Sequence, residues 1–357
     1  MGFYSYMTVG VWRYLGNVGE VISPRFKMST NRIEYIDNLK GLAIFTVVLG
    51  HVAVFGYQNY ENYIRIFASS FHLPLFMFLS GIVIKELPSP RKLIVKLFRF
   101  LCPFICVGLT YNFIISRSIN YFFFAPMKSG FWYLWVLSEF YVLLAILGAI
   151  HNYSRKTSNI FIDILFLISV EILLIIFEKY TPEASSLLSL NSCKSYWPFF
   201  FGGFIFRKYN LALILERYSN IICAFSAVIY LIVLYATITL NLHSYVNAIT
   251  GLCAVPFLFI LFKKRDHKNS LIDKELNRLG RYSLEIYMFE YFMLAFINLR
   301  NLEELFSSMN NHFLLLIIAI VITVLIVYSS IFIGYLSHET GYLDKLIYGK
   351  FFITKRK

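Results

Sequence analysis

The chain alternates long apolar runs with short polar connectors along most of its length. A helix needs roughly 20 apolar residues to cross the hydrocarbon core of a membrane, so these runs predict membrane-spanning helices. Ten spans are predicted, near Gly41–Tyr57, Ile64–Ile84, Leu93–Ser116, Trp132–Ile150, Ile160–Phe177, Tyr196–Phe206, Ile221–Leu240, Val246–Phe262, Tyr282–Ile297 and Phe313–Leu336. The pattern predicts an all-α integral membrane protein, folded as a single bundle of about ten transmembrane helices.

The positions of Lys and Arg test this count independently, because these residues concentrate in cytoplasmic connectors. They are found in every second connector and in the C-terminal tail: Arg91, Lys92, Lys96 and Arg99; Arg155 and Lys156; Arg207, Lys208 and Arg217; Lys263, Lys264 and Arg265; Lys350, Lys355, Arg356 and Lys357. The intervening connectors hold few of them. The pattern predicts that both termini are cytoplasmic.

Composition agrees with a membrane protein, since only 15% of the 357 residues are charged and 58% are hydrophobic. The net charge of +13 lies beside the apolar runs, which indicates anionic lipid rather than nucleic acid as the partner. The five cysteines have no metal-site spacing and predict no disulfide framework. We expect residues 1–31 to be an N-terminal tail, with Met28 as an alternative start, residues 32–348 the transmembrane domain and residues 349–357 a basic cytoplasmic tail.

Ionisable residues within a membrane span are costly, so each is a candidate for function. Asp37, Lys40 and His51 are such residues on the first predicted span. Lys40 and His51 share one helix face about 16 Å apart, which suits a long ligand with an anionic end near Lys40 and a reacting end near His51. Alternatively, His51 is satisfied by a neighbouring helix and Lys40 extends to the membrane interface.

A second polar group lies on the second span, where His72 precedes Pro74 and the small pair Ser80 and Gly81 follows. Pro74 is expected to bend the helix, so that His72 enters a cavity with Ser80 nearby. Alternatively, the small residues only allow close helix packing and His72 lies at the membrane interface.

These residues resemble motifs of acyltransferase family 3, a family of bacterial membrane proteins. The resemblance runs from about Arg32 to about Tyr335, and it rests on Asp37, Lys40-Gly41 and His51; Phe71-His72-Leu73-Pro74-Leu75-Phe76 and Leu79-Ser80-Gly81; a basic loop from Arg91 to Arg99; Phe131-Trp132-Tyr133-Leu134; Tyr196-Trp197-Pro198-Phe199-Phe200 with Gly202-Gly203; and Leu279-Gly280-Arg281-Tyr282-Ser283-Leu284-Glu285-Ile286-Tyr287. It implies transfer of an acyl group, usually acetyl from acetyl-coenzyme A, to a hydroxyl of a cell-envelope sugar, in the bacterial cytoplasmic membrane.

The resemblance assigns the family's basic residue to Lys40 and its catalytic histidine to His51, with Asp37 beside them. The family often has arginine at the first of these positions, and it often has histidine where this chain has Glu290. Ser283, Tyr287 and Glu290 share one helix face, so we expect them to support the acceptor with His72 and Ser80. Alternatively, Glu290 lies near the outer membrane boundary and is solvated.

The basic loop, Arg91, Lys92, Lys96 and Arg99, is expected to bind the phosphates of the acyl-coenzyme A donor, or else only to set the topology against anionic lipid. The expected partners are acyl-coenzyme A, an envelope glycan or lipid-linked sugar and membrane lipids, with no nucleic acid, no bound cofactor and no metal. Two other classes stay open. They are a transporter or flippase for a glycan or lipid-linked precursor, and a non-catalytic sensor or scaffold.

Overall fold

The computed structural model describes residues 33–56, 63–154, 159–240, 246–265, 270–297, 299 and 312–350. The chain divides into two units, Met1–Ile33 and Glu34–Lys357, and only the second is described below. Its described helices are α1 (Glu34–Gly56), α2 (Tyr63–Ser69), α3 (His72–Ile82), α4 (Pro90–Ile114), α5 (Ile119–Phe124), α6 (Trp132–Ser154), α7 (Ile160–Tyr180), α8 (Pro182–Leu187), α9 (Leu190–Lys208), α10 (Ala212–Arg217), α11 (Ser219–Leu240), α12 (Val246–Arg265), α13 (Leu271–Arg281), α14 (Ser283–Ile297), α15 (His312–Glu339) and α16 (Gly341–Ile347).

The described residues contain a helix at each of the ten predicted spans, and the all-α prediction is confirmed. Among the described residues, seven segments are long and apolar enough to cross a membrane: α1, α2 with α3, α4, α6, α7, α11 and α15. The helices at the sixth, eighth and ninth predicted spans fall outside this group. Helix α9 ends in Arg207 and Lys208, α12 ends in three basic residues, and α14 has only 15 residues. A count of ten stays a prediction.

Helix α1 lies near the centre of the bundle, whereas α7 and α11 lie at its perimeter. About two-thirds of the apolar stretch of α1 is buried, 67%, against 11% for α7 and 17% for α11. Exposed apolar side chains on α7 and α11 include Phe161, Phe177 and Phe225. A surface of this kind is stable only against lipid tails, so α1 is the helix best shielded from lipid.

Two helix crossings are so close that only glycine fits. Helix α13 crosses α1 where a Cβ atom at Gly41 would lie 1.9 Å from the carbonyl oxygen of Leu276. Helix α9 crosses α3 where a Cβ atom at Gly203 would lie 2.1 Å from the carbonyl oxygen of Phe78. Small residues at membrane helix crossings allow backbones to approach, and these two crossings fix α1 and α3 against their neighbours.

The second predicted span is broken into two helices, as Pro74 predicts, since a proline ring clashes with the carbonyl four residues before it, here that of Ser70. Helix α2 ends at Ser69 and α3 begins at His72, so the break precedes Pro74. Pro74 lies in the first turn of α3, where its missing N–H removes no helical hydrogen bond. The break places His72 at the start of a helix.

Candidate active site

Asp37, Lys40 and His51 all lie on α1, which is continuous from Glu34 to Gly56. The rise of a helix therefore separates Lys40 from His51 by about 16 Å, and Asp37 from His51 by about 21 Å. Asp37 is buried, and its backbone carbonyl lies at the crossing with Gly280 of α13. Helix α1 thus carries two separate polar groups, Asp37 and Lys40 towards its start and His51 towards its end.

Glu290 of α14 lies against His51. Its Oε1 is 3.3 Å from Nδ1 of His51, and the Glu290 side chain is 0% exposed whereas that of His51 is 26% exposed. The contact lacks hydrogen-bond geometry, and neither Glu290 oxygen has a hydrogen-bond partner within the described part of the chain. The alternative of a solvated Glu290 is wrong. A buried carboxylate is costly without a compensating charge, and the imidazolium form of His51 supplies one.

Tyr291 occupies the other side of the His51 ring. Its hydroxyl is 3.2 Å from Nε2, and the two ring centroids are 5.0 Å apart. Both nitrogens of His51 therefore have a neighbour from α14, one a carboxylate and the other a phenol. The exposed fraction of His51 lets a small reacting group reach the imidazole.

Tyr287, one turn before Tyr291, belongs to a chain of polar contacts that ends at Ser80. The amide of Tyr133 donates to the Tyr287 hydroxyl at 3.2 Å, and that hydroxyl donates to the carbonyl of Gly130 at 3.1 Å. The hydroxyls of Tyr133 and Ser80 are 2.8 Å apart. The structure thus joins Ser80 to Tyr287 through Tyr133.

His72 lies at the start of α3, buried and close to α1. Its Nδ1 is in contact with the carbonyl oxygen of Ala68. Ala68 itself packs beside Gly50 of α1. The two predicted histidines therefore lie on neighbouring elements in one region.

The basic cluster predicted as a loop is instead helical, because Arg91, Lys92, Lys96 and Arg99 all lie in α4. Within this helix, Lys96 interacts electrostatically with Arg99 and with Lys40 of α1. Lys96 also lies over the ring of Tyr141, at 5.5 Å from its centroid. Arg91 and Lys92 are exposed, and Lys92 forms an ion pair with Glu86 at 3.0 Å. Positive charge from α1 and α4 thus gathers near Lys40.

Ser283 begins α14 and is partly buried. No hydrogen bond in the described part of the chain joins it to His51 or Glu290. Glu285 faces away from Glu290, as helical geometry predicts, and contacts Nε2 of His338 at 3.1 Å. Of the three residues predicted to share one face of α14, Tyr287 and Glu290 make the polar contacts that define the site.

A short turn between α5 and α6 lies against Tyr287 and Tyr291. Lys128, Ser129 and Gly130 all have positive φ, at 43°, 53° and 103°, which L residues adopt only at a cost. The Lys128 ammonium is buried and donates to the carbonyls of Phe123 at 2.6 Å and Ser186 at 3.1 Å. Burial lowers the pKa of Lys128 to about 8. A Cβ atom at Gly130 would lie 2.3 Å from the ring of Tyr291, so only glycine fits there.

No group of three or more His, Cys, Asp or Glu side chains converges to hold a metal ion, as far as the described residues show. The chemistry available is that of an imidazole between a buried carboxylate and a phenol, with the Lys40 cation about 16 Å away on the same helix. Such an imidazole can take a proton from a hydroxyl or form a covalent bond with an electrophile.

Together these features define a multi-pass helical membrane protein with a buried histidine–carboxylate site. The chain belongs to acyltransferase family 3, because the family's acyltransferase domain matches residues 33–332. A search of curated proteins and a search of solved structures each found no match. Family membership supports an acyltransferase activity in the membrane.

Sequence reasoning missed Tyr291 and Gly130. Tyr291 directly follows Glu290 in the chain, about 100° further around the helix. Both residues can contact the His51 ring only if that ring points between them, and this depends on how the two helices pack. Gly130 precedes the Phe131-Trp132-Tyr133-Leu134 motif, and its role depends on a left-handed backbone that composition does not reveal.

Proposed function

We propose that this protein is a membrane O-acyltransferase, and that it moves acetyl from acetyl-coenzyme A to a hydroxyl of a cell-surface or exopolysaccharide sugar. The observation that carries the proposal is the contact between His51 and the fully buried Glu290, at 3.3 Å, inside the acyltransferase family domain. An imidazole beside a carboxylate is the arrangement that accepts and then holds a proton during attack by a hydroxyl.

The donor binds at the Lys40 end. Lys96 interacts electrostatically with both Lys40 and Arg99, and cations that repel one another are stabilised by an anion of several charges, such as the phosphates of coenzyme A. Lysine binds phosphate as a point charge, so Lys40 serves this purpose where the family often has arginine. Arg91 and Lys92 extend the positive surface towards solvent and provide long-range attraction. Asp37, buried beside them, orients the start of α1.

The acceptor sugar binds at the other end, near His51. His72 and the Ser80–Tyr133–Tyr287 chain supply donors and acceptors for its hydroxyl groups. Ser283 lies on the same helix face as Tyr287 and lines the route between the two ends. The aromatic rings of Tyr287 and Tyr133 give the sugar an apolar surface.

In the direct route, Nε2 of His51 takes the proton of the acceptor hydroxyl while the oxygen of that hydroxyl bonds to the thioester carbonyl carbon. The carbon–sulfur bond then breaks, and coenzyme A leaves as a thiol with the proton returned by the imidazolium. Glu290 stabilises the imidazolium in between. In the covalent route, Nε2 itself attacks the carbonyl carbon, the carbon–sulfur bond breaks, and coenzyme A leaves as a thiol with the proton that the imidazole gives up. The oxygen of the acceptor hydroxyl then bonds to the acyl carbon, the carbon–nitrogen bond breaks, and the hydroxyl proton returns to the imidazole. Both routes need the same residues.

The proposed topology has both termini in the cytoplasm, from the alternation of Lys and Arg between connectors. It places Lys40 and the basic part of α4 where acyl-coenzyme A is made, and His51 deeper in the bacterial cytoplasmic membrane. Anionic lipids bind the remaining basic connectors. No resident cofactor is needed, because the donor is a substrate.

A transporter or flippase would use the same polar face as a translocation path. Family membership does not favour it. A non-catalytic sensor or scaffold would bind no acyl-coenzyme A. Binding or hydrolysis of that donor by the purified protein separates these two classes from an acyltransferase.

The decisive experiment is His51→Ala in cells, with mass spectrometry of envelope glycans for the acetyl increment. We expect loss of the increment, with correct insertion and folding verified by size-exclusion chromatography and thermal unfolding in detergent. Tyr328→Phe is the control, because its hydroxyl contacts Glu275 at 2.7 Å on a different part of the protein. Unchanged acetylation in a folded His51→Ala protein would overturn the proposal.

A further inference from the structure

The two nitrogens of His51 are not equivalent. The Glu290 carboxylate lies against Nδ1 at 3.3 Å, and a neighbouring negative charge favours a proton on that nitrogen. In the neutral imidazole the lone pair is then on Nε2. The Tyr291 hydroxyl, 3.2 Å away, is the group that donates to it. The basic nitrogen that the reaction needs is therefore already occupied.

The position of Tyr291 is fixed by packing from several elements. Its ring contacts Tyr111 at a centroid distance of 5.7 Å, Phe131 at 5.9 Å and Phe55 at 6.4 Å. The backbone of Gly130 fills the remaining side so closely that a Cβ atom there would overlap the ring. A tyrosine held by three rings and a backbone keeps its hydroxyl on Nε2 without losing further rotational freedom.

We propose that Tyr291 is a positioning residue that caps the Nε2 lone pair of His51 until an acceptor hydroxyl replaces it, and so protects the acyl donor from water. The proposal rests on the acyl-transfer function above. With Tyr291 in place, a bound sugar hydroxyl reaches Nε2 of His51, whereas a free water molecule does not.

The reaction that the cap prevents is hydrolysis of the donor. Water would give a proton to Nε2 while its oxygen bonds to the thioester carbonyl carbon. The carbon–sulfur bond would break, and the products would be a carboxylic acid and the coenzyme A thiol, which receives the proton from the imidazolium. With the Tyr291 hydroxyl on Nε2, water finds no free lone pair. A sugar hydroxyl held by its own contacts donates to Nε2 in place of the phenolic hydrogen, while the Tyr291 ring keeps its position.

The test is coenzyme A release from acetyl-coenzyme A by the purified full-length protein without acceptor, followed with a thiol reagent. Tyr291→Phe keeps the ring and removes only the hydroxyl, so we expect release to rise about 3- to 10-fold, the size of one hydrogen bond. Adding His51→Ala to Tyr291→Phe should abolish the increase. Tyr328→Phe, which removes a remote hydroxyl, should leave release unchanged. Where the wild type releases measurable coenzyme A, equal or slower release by Tyr291→Phe overturns the cap.

A second measurement is independent of acyl transfer. Diethyl pyrocarbonate modifies unprotonated imidazole nitrogens, and peptide mass spectrometry reports the rate at each histidine. The cap predicts faster modification of His51 in Tyr291→Phe, with unchanged rates at His151 and His338, which lie in other clusters. If neither protein releases coenzyme A but His51 reacts faster, the acyl-transfer proposal fails and the cap holds. If His51 reacts at the same rate or more slowly, the cap is wrong.

Discussion

Glu290 and His51 face each other with an oxygen–nitrogen distance of 3.3 Å, and the Glu290 side chain is completely buried. The charge on Glu290 is therefore useful only together with the charge that His51 acquires when it takes a proton. An ion pair in the resting protein would add little to its stability, because the cost of removing two charges from water offsets their attraction. The arrangement favours the protonated state of His51 that forms during acyl transfer.

Replacing Glu290 by Gln should lower kcat more than it changes the KM of either substrate. A charge-assisted contact contributes about 1.5–3 kcal/mol, which corresponds to about 10- to 100-fold in rate. Steady-state kinetics of coenzyme A release with acceptor would measure it. Glu290→Asp keeps the charge on a shorter side chain and should retain part of the activity. Equal rates for Glu290→Gln and the wild type would contradict a role in stabilising the imidazolium.

The donor end predicts the opposite kinetic pattern. Lys40→Met and Lys96→Met should each raise the KM for acetyl-coenzyme A roughly tenfold, about 1.4 kcal/mol, with a smaller effect on kcat. Lys40→Arg is the matched control, since it keeps the charge. Arg91→Met and Lys92→Met should have smaller effects, under about threefold, because exposed charges are screened by solvent. A fall in kcat at constant KM for Lys40→Met would place Lys40 in the chemical step instead.

The adjacent glycines of α9 allow a matched test of helix packing. Gly203→Ala should destabilise the protein by about 1–3 kcal/mol, because the added methyl group would lie 2.1 Å from the Phe78 carbonyl oxygen. Gly202→Ala adds the same methyl group where no atom lies within 4 Å, so stability should be unchanged or slightly higher. Thermal unfolding in detergent compares them. Similar losses for both variants would mean that the α3–α9 crossing is looser than described.

Asp344 predicts a dependence of stability on pH at the C-terminal end. Burial alone would raise its pKa, but hydrogen bonds from Lys350 and His338 outweigh burial and hold the pKa below its ordinary value. The stabilisation is present above the unfolded pKa of about 3.9 and is lost as pH falls through the lower folded value. Asp344→Asn should thus be less stable than wild type at neutral pH.

The difference between Asp344→Asn and wild type should begin to shrink as pH falls below about 3.9 and should disappear below the lower pKa of folded Asp344. Chemical unfolding of both proteins in detergent across this range measures it, with Asp344→Glu as the variant that keeps the charge. A difference that persists or grows in acid would show that the Asn side chain disrupts α16 by its shape rather than by its charge.

The relation between Lys40 and His51 could be predicted from sequence because both lie on one helix, where spacing sets the angle and the rise. The contact between His51 and Glu290 could not, because it joins helices far apart in the chain and depends on how α1 and α14 pack. The extent of α4 was misjudged for a related reason. Hydropathy marks where a helix leaves the membrane, not where it ends, so the basic first turns of α4 resembled a loop.

The break within the second span was easier to predict. Pro74 predicted a bend, and the described backbone breaks at Ser70 and Phe71, before α3 begins. Close crossings at Gly41 and Gly203 left a trace in the sequence, since both glycines belong to recognisable motifs. The sequence does not say which helix each crossing brings close.

The site draws on both ends of the chain, because His51 and Tyr291 are 240 positions apart. During synthesis α1 enters the membrane long before α14 is made, so the nascent chain carries its histidine without carboxylate or phenol. A prematurely terminated product that lacks α14 is therefore a membrane protein in which His51 has neither Glu290 nor Tyr291 beside it. If the proposed function is correct, such an incomplete chain would not consume the acyl donor, and activity would begin only when the ninth of the predicted spans is in place.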